Sequence, residues 1–416
     1  MSFFRVLFLV LYIKGGDFNM KYDFESVISR KNTGSEKWNG MYKKYKNIPD
    51  DIVPLSVADM EFKNPPEIGE ALGEYFKNTV MGYTEPQDSY YNAVINWFKR
   101  RHNWNIEKEW ILDYPGVVPA LYHIVNCFTK RDEGVIIFTP VYYPFYSAIK
   151  SGGRNIVECP LVENNGEYKI NFDDFENKAK DGKNTLCIIC NPHNPVGRVW
   201  TIEELEKIGD ICIKNNIKIV SDEIHNDIIM PGYNHTVFAS ISEEFQKNSI
   251  ICTAPSKTFN TAGLMTSNII ISDYETRKKL YKYRMNKGVF GCNMAGYKAC
   301  EVAYNKCEEW LLQFIDVIDR NRIFVENFIK ENIPEIKVSR LEGTYLMWLD
   351  CRQLGMDYIE LEKFMIEKAL LFNDEGYIFG DGGKGFERIN IACPLSVLSQ
   401  AMERLKKAVY MRKNSF

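Results

Sequence analysis

The residue of this chain best placed to do chemistry is a lysine at the end of an apolar run. Lys257 stands in Ala254-Pro255-Ser256-Lys257-Thr258-Phe259-Asn260, just past Ser249 to Thr253. That run reads as a buried strand entering a turn. Burial disfavours the charge of a lysine, so an amine there is pushed toward its neutral, nucleophilic form. A nucleophilic amine forms an imine with an aldehyde, which is a covalent anchor for a carbonyl cofactor. Alone, the triplet Ser-Lys-Thr is a weak signal and fits an ordinary snorkelling surface lysine better.

Four upstream stretches, each at the end or turn of a strand-like segment, change that balance. Ser221-Asp222-Glu223-Ile224-His225 follows Ile217 to Val220. A buried carboxylate is destabilised unless paired, and a pyridinium N–H is a suitable partner. Neighbours on an extended segment point oppositely, so one of Asp222 and Glu223 faces away. Asn191-Pro192-His193-Asn194-Pro195-Val196-Gly197 follows Leu186 to Cys190, and the Asn194 amide can donate to a phenolate. Thr139-Pro140-Val141-Tyr142-Tyr143-Pro144 offers a ring to stack on a flat molecule. Gly116-Val117-Val118-Pro119-Ala120 opens a helix whose free N–H groups can hold a phosphate. Each has a plainer reading as loop packing or an ion pair. Together they describe the parts of pyridoxal 5'-phosphate (PLP): an aldehyde, a ring nitrogen, a phenolate, a flat ring and a phosphate.

Such residues need a framework that brings strand ends together. The apolar runs Val135 to Phe138, Leu186 to Cys190, Ile217 to Ser221, Ile250 to Thr253 and Asn268 to Ile271 alternate with helical stretches. This predicts an α/β fold, a mostly parallel sheet with helices on both faces, and a ligand beyond the carboxyl ends of the strands. Thr201-Ile202-Glu203-Glu204 reads as the capping box of one crossover helix, and Asn64-Pro65-Pro66-Glu67 as another helix start with Asn64 as its cap. Beyond about residue 300 come a long helix (Cys300 to Glu331), short strands (Ile336 to Val338, Thr344 to Leu349, Arg388 to Ala392) and two more helices. The expected division is a large PLP-binding domain over 64–300, a smaller α+β domain over 301–416, and a segment over 20–63 packing on the small domain.

The 416 residues are 45% hydrophobic, ample for a large core, and the net charge of -3 gives no reason to expect nucleic acid or an anionic membrane. Eleven cysteines without framework spacing suit a reducing cytoplasm. Phe3 to Ile13 is nearly all apolar but too short to span a bilayer, and it lacks a small-residue cleavage motif. Lys14-Gly15-Gly16-Asp17 can be encoded by a purine-rich ribosome-binding tract with Met20 at start spacing, so residues 1–19 are read as a non-native extension. N-terminal sequencing of the native protein is the check. Cys187, Cys190 and His193 have metal-like spacing, but residues i and i+3 of a strand face opposite sides, so no metal is expected. The loop Gly380 to Gly385 joins no strand to a helix in a βαβ unit and is expected to be a mobile lid near Arg388.

The order Asn194, Asp222, Lys257 resembles that of the aminotransferase-like, fold type I PLP enzymes. More closely, the chain is similar to the MalY/PatB-type cystathionine β-lyases, or cysteine-S-conjugate β-lyases, from about Lys37-Trp38 to the C-terminus. The matching stretches include Val57-Ala58-Asp59-Met60-Glu61-Phe62, Gly82-Tyr83-Thr84, Asn194-Pro195-Val196-Gly197, Ser221 to His225, Ser256 to Asn260 and Arg388-Ile389-Asn390-Ile391-Ala392. The resemblance implies a seven-stranded sheet, Lys257 bonded to the cofactor, Asp222 on the pyridine nitrogen, Asn194 on the 3'-oxygen and Tyr142 stacked on the ring. It implies that the Val117 and Val118 amides hold the phosphate, with Ser256 and His225 completing the cofactor site. Tyr83 would reach the partner subunit's site in a homodimer. Arg388 would clamp the substrate α-carboxylate bidentately, and Asp59 would line the substrate side.

The implied reaction is β-elimination from L-cystathionine or a related cysteine S-conjugate, giving a thiol, pyruvate and ammonia. An aminotransferase, which shares the early steps, and a regulatory protein that binds a transcriptional activator are the alternatives. Three positions depart from the pattern. His225 stands where many aminotransferases have tyrosine, and Met265 where they have arginine, so phosphate anchoring must rely on amides and hydroxyls such as that of Ser256. Ser56 stands where the subgroup often has tryptophan, which bears on substrate preference.

Overall fold

Uninterrupted runs of Ile, Val and Cys become the central strands, because a strand covered on both faces must be apolar on both. The computed structural model describes residues 20–414, so the stretch read as a non-native extension lies outside the described residues. The strands are β1 (Ile111–Tyr114), β2 (Gly134–Thr139), β3 (Asn155–Pro160), β4 (Val162–Asn164), β5 (Glu167–Lys169), β6 (Asn184–Cys190) and β7 (Lys218–Asp222). They continue with β8 (Ser249–Thr253), β9 (Ser267–Ile270), β10 (Lys337–Val338), β11 (Leu346–Asp350), β12 (Asp374–Glu375) and β13 (Phe386–Asn390).

Seven of them form one sheet in the order β1-β9-β8-β7-β6-β2-β3, parallel except for β9, which runs against both neighbours. Its two faces feed separate cores: Ile136, Cys187, Ile219 and Ile251 pack on one side, Ile137, Cys190, Val220 and Ile250 on the other. Cys187 and Cys190 thus lie on opposite faces, as the strand period requires. The predicted apolar runs correspond to β2, β6, β7, β8 and β9. Two strands carried no such run. β1 contains Asp113, whose carboxylate is met by Arg284 and Tyr297, and β3 is a half-exposed edge.

The second sheet is antiparallel, in the order β10-β11-β13-β12. The segment over 20–63 is fastened to it by main-chain bonds: Leu55 N to Phe372 O at 2.9 Å, Asn390 N to Leu55 O at 2.8 Å and Glu61 N to Ala392 O at 2.9 Å. Phe24 adds a ring contact to Trp310 on the long helix that follows Cys307. That helix corrects the expected single one: Met294–Lys306 and Glu308–Asn332 are separate, broken at Cys307. Lys306 closes the first and Glu308 and Glu309 open the second, charges that suit two helix ends rather than one interior.

The capping box at Thr201 and Glu204 is formed, a device worth about 1 kcal/mol. The cap expected at Asn64 is not: Pro65 takes the N-cap position, and the Asn64 amide donates instead to Phe259 O and Asn260 O, tying this turn to the loop after Lys257. The loop expected to be a mobile lid is packed. A Cβ on Gly383 would lie 2.0 Å from Gly376 O, and the Phe379 carbonyl just before it accepts from Val141 N and the Tyr146 hydroxyl, both at 3.0 Å. Among the described residues, no helix is long and apolar enough to cross a membrane.

Candidate active site

Parallel register brings the chemical residues together. Cys190, Asp222 and Cys252 are cross-strand partners at the ends of β6, β7 and β8, so the chain leaves all three strands at one edge. Asn194 follows the first, Asp222 closes the second, and Lys257 follows the third. Main-chain bonds hold the exits side by side: Asn191 N to Asp222 O and Glu223 N to Cys252 O, both 2.9 Å. Tyr142 joins from the end of β2, its N–H donating to Asn194 O at 3.1 Å. β1 is parallel to β8 across the reversed β9, so the helix Val117–Phe128 also begins at this edge. No side chain caps that helix, and Gly116 enters it with φ of 120°, leaving the Val117 and Val118 N–H groups outside the helical ladder.

Alternation on β7 settles which acid faces the cleft. Glu223 points to the rear, where Ser221 Oγ (2.8 Å), Phe238 N (2.9 Å) and His235 Nε2 (3.0 Å) satisfy it. Asp222 is 2% exposed and receives a single 3.3 Å bond, from Ile224 N, among the described residues. Burial pushes its carboxyl up to about 7, with Glu223 adding to the rise and Lys257 opposing it. Across the cleft, burial draws the Lys257 amine down to about 8; Arg388 and Lys37 push the same way, Asp59 and Asp222 the other. His225 is buried with Nδ1 unpartnered, and burial, then the charges of Lys257 and Arg388, hold its ring neutral.

Arg388 lies on β13, 2% exposed, with its guanidinium 4.8 Å from the centre of the Phe379 ring. It donates to Asn194 Oδ1 at 2.8 Å and pairs with Asp374, its cross-strand neighbour on β12. Ser256 is partly exposed in the short helical turn that bears Lys257. Met265, at the position where many aminotransferases have arginine, is 54% exposed. Tyr83 is fully exposed within its own subunit.

Asp59 is paired within the chain. Its carboxylate is taken by Arg30 (2.7 Å) and Lys37 (3.0 Å), and Glu61, on the same side of the segment, meets the same two cations. The segment also offers the cleft its main chain: the Ala58 carbonyl accepts from Lys257 Nζ at 2.6 Å and from the Tyr345 hydroxyl at 2.9 Å. Asn390 Nδ2 secures the carbonyls on either side, Val57 O and Asp59 O, each at 2.7 Å. Lys37, Asp374, Tyr345 and Asn390 were not found by sequence reasoning. Of these only Asn390 lay in a motif already singled out.

Behind the cleft, Asp227 accepts from Thr258 Oγ1 (2.8 Å), His102 Nε2 (2.9 Å) and Trp97 Nε1 (3.2 Å), and His102 is the main influence holding its carboxyl charged against burial. Asp227→Ala leaves three buried donors without an acceptor. It is expected to destabilise the fold by about 3 kcal/mol in urea unfolding; a loss below about 1 kcal/mol would remove this network from the account of stability.

A fold type I sheet with a lysine, an acid and an asparagine on adjacent strand ends defines an aminotransferase-like protein. The chain belongs to the class I and II aminotransferase family, whose model matches residues 50–405. Within it, the chain is 40% identical to "Cystathionine beta-lyase PatB" of Bacillus subtilis, over 93% of this chain and all of that protein. The crystal structure of cystalysin from Treponema denticola, which contains pyridoxal 5'-phosphate, is 52% identical with a TM-score of 0.93, covering 94% of this chain and 99% of that one. The PLP-bound C-S lyase from Staphylococcus hominis is 32% identical with a TM-score of 0.87, covering 95% of this chain and all of that one.

Proposed function

We propose that this protein is a PLP-dependent carbon–sulfur lyase of the cystathionine β-lyase type, releasing a thiol, pyruvate and ammonia from L-cystathionine or a related cysteine S-conjugate. The observation that carries this reading is a lysine and a buried acid brought to one edge of the sheet, the acid receiving only the Ile224 N bond among the described residues. PLP fits these residues. Asp222 is short of one positive hydrogen-bond donor, which a protonated ring nitrogen is; Asn194 has its Oδ1 occupied by Arg388, so its Nδ2 is the group left to donate to the 3'-oxygen. The free amides at Val117 and Val118, with the Ser256 hydroxyl, suit a phosphate at a helix start. When bound, PLP supplies an aldehyde for the lysine and a ring that takes up the electron pair released from Cα.

The chain's own residues supply the rest. Lys257 would take the Cα proton on Nζ; burial draws its amine down to about 8, which favours the neutral form that a general base needs. Asp222 would pair with a protonated ring nitrogen, each charge stabilising the other. Arg388 holds the α-carboxylate, itself aimed by Asn194 and Asp374. Arg388→Lys removes the planar fork and is expected to raise KM by about 10- to 100-fold with a smaller change in kcat. An unchanged KM would move the carboxylate site elsewhere.

Incubation with L-cystathionine tests the reaction: thiol and pyruvate are expected without any keto acid, whereas strict dependence on a keto-acid acceptor would make the protein an aminotransferase. Tyr83, fully exposed beside exposed Val80 and Met81, supports a second copy of the chain as its cover, and we read the working unit as a homodimer. Light scattering should give twice the chain mass. Its eleven free cysteines support a reducing, cytoplasmic location.

A further inference from the structure

We propose that Tyr345 is a positioning residue for Lys257, acting through the carbonyl they share. A carbonyl oxygen has two acceptor directions. At Ala58 both are used, one by Lys257 Nζ at 2.6 Å and one by the Tyr345 hydroxyl at 2.9 Å. The shared oxygen therefore fixes where the unattached amine rests, and the phenol limits how strongly that oxygen can hold a proton on the amine.

The surroundings make this oxygen a fixed point. Asn390 pins the carbonyls before and after it, Asp374 accepts from Val57 N at 2.9 Å, and Lys37 donates to Asp59 O at 2.8 Å. Val57 itself has φ of 52°, a left-handed conformation rare for a β-branched residue, and these bonds hold it there. Tyr345 is equally constrained: it is fully buried, edge-on to His225 at 5.7 Å and to Phe314 at 6.1 Å, and its carbonyl accepts from Ile391 N. A hydrogen bond from an ammonium to a carbonyl stabilises the charged form. A second donor on the same oxygen draws off part of its electron density and weakens that stabilisation. Tyr345 thus favours release of the proton from Lys257 while leaving the amine's resting place intact.

The other charges that face Lys257 are Asp59, Arg388, Asp222 and Lys37, with neutral His225 alongside; Tyr345 faces Asp59, Arg388 and Tyr142. None of them changes in Tyr345→Phe, so the variant isolates the phenol. The inference rests on the reading that Lys257 captures PLP, and the test separates the two. Cofactor-stripped full-length protein is mixed with PLP, and the rate of appearance of the visible band is followed across the pH range around 8. In the wild type the rate should rise with the neutral amine, half-maximal near 8. In Tyr345→Phe the midpoint should move up by about 0.5 to 1 pH unit, so that capture at pH 7 slows about three- to tenfold. A purely structural role would slow capture equally at every pH. Superimposable midpoints overturn the inference. A wild type that captures no PLP overturns the functional reading instead. Should Tyr345→Phe not fold, fluorotyrosine at position 345, a stronger donor, must move the midpoint down; no movement overturns the inference equally.

Discussion

Lys257→Ala will lower turnover of L-cystathionine by about 10⁴-fold or more, because one substitution removes both the covalent anchor and the proton acceptor. No neighbour can substitute. Lys37, the other buried amine near the site, is engaged by Asp59 and Glu61, and His225 is held neutral and well below its ordinary basicity. The purified variant should also lack the visible band of a lysine-bound cofactor. Pyruvate release within about tenfold of wild type would remove Lys257 from the chemistry and with it the reading of the whole cleft.

Asp222→Asn should give two results of opposite sign. Turnover is expected to fall by about 10²- to 10³-fold, since an amide does not keep a ring nitrogen protonated in a low-dielectric cleft. Stability of the cofactor-stripped protein should rise. In the folded chain burial moves the Asp222 carboxyl from 3.8 up to about 7. A carboxyl raised on folding contributes its stability below the unfolded value and loses it as pH climbs through the folded one. Wild type and variant should therefore unfold alike below about pH 4, with the variant drawing ahead between about pH 4 and pH 7 by up to ~4 kcal/mol and the gap constant above. Thermal unfolding at a series of pH values reads this directly. A wild type more stable than the variant at pH 7 without cofactor would mean that Asp222 has a cationic partner within the chain.

Much of this arrangement was legible in the sequence because the central strands are buried on both faces. Ile, Val and Cys runs have no other home, and the polar residues that interrupt them at their carboxyl ends stand out. β1 and β3 were not legible for the converse reason: Asp113 is neutralised by residues far along the chain, and β3 has an exposed edge that relaxes the demand for apolar side chains. The same logic explains the site residues. Lys257, Asp222 and Asn194 advertise themselves by position relative to strands. Asp374 acquires meaning only when β12 lies beside β13 and places it opposite Arg388, and Tyr345 only when the N-terminal segment crosses the cleft. Asp59 stood in a matching stretch, but its pairing with Arg30 and Lys37 could not be read from that stretch.

The opposed directions of Asp222 and Glu223 make the identity of the acid that faces the cleft a matter of alignment. A shift of β7 by a single position between β6 and β8 would exchange the two, turning inward the glutamate that Ser221, His235 and Phe238 hold at the rear and hiding the aspartate. Main-chain ladders on both flanks oppose that slide, so which of the two acids faces the cleft is set by hydrogen bonds between strands.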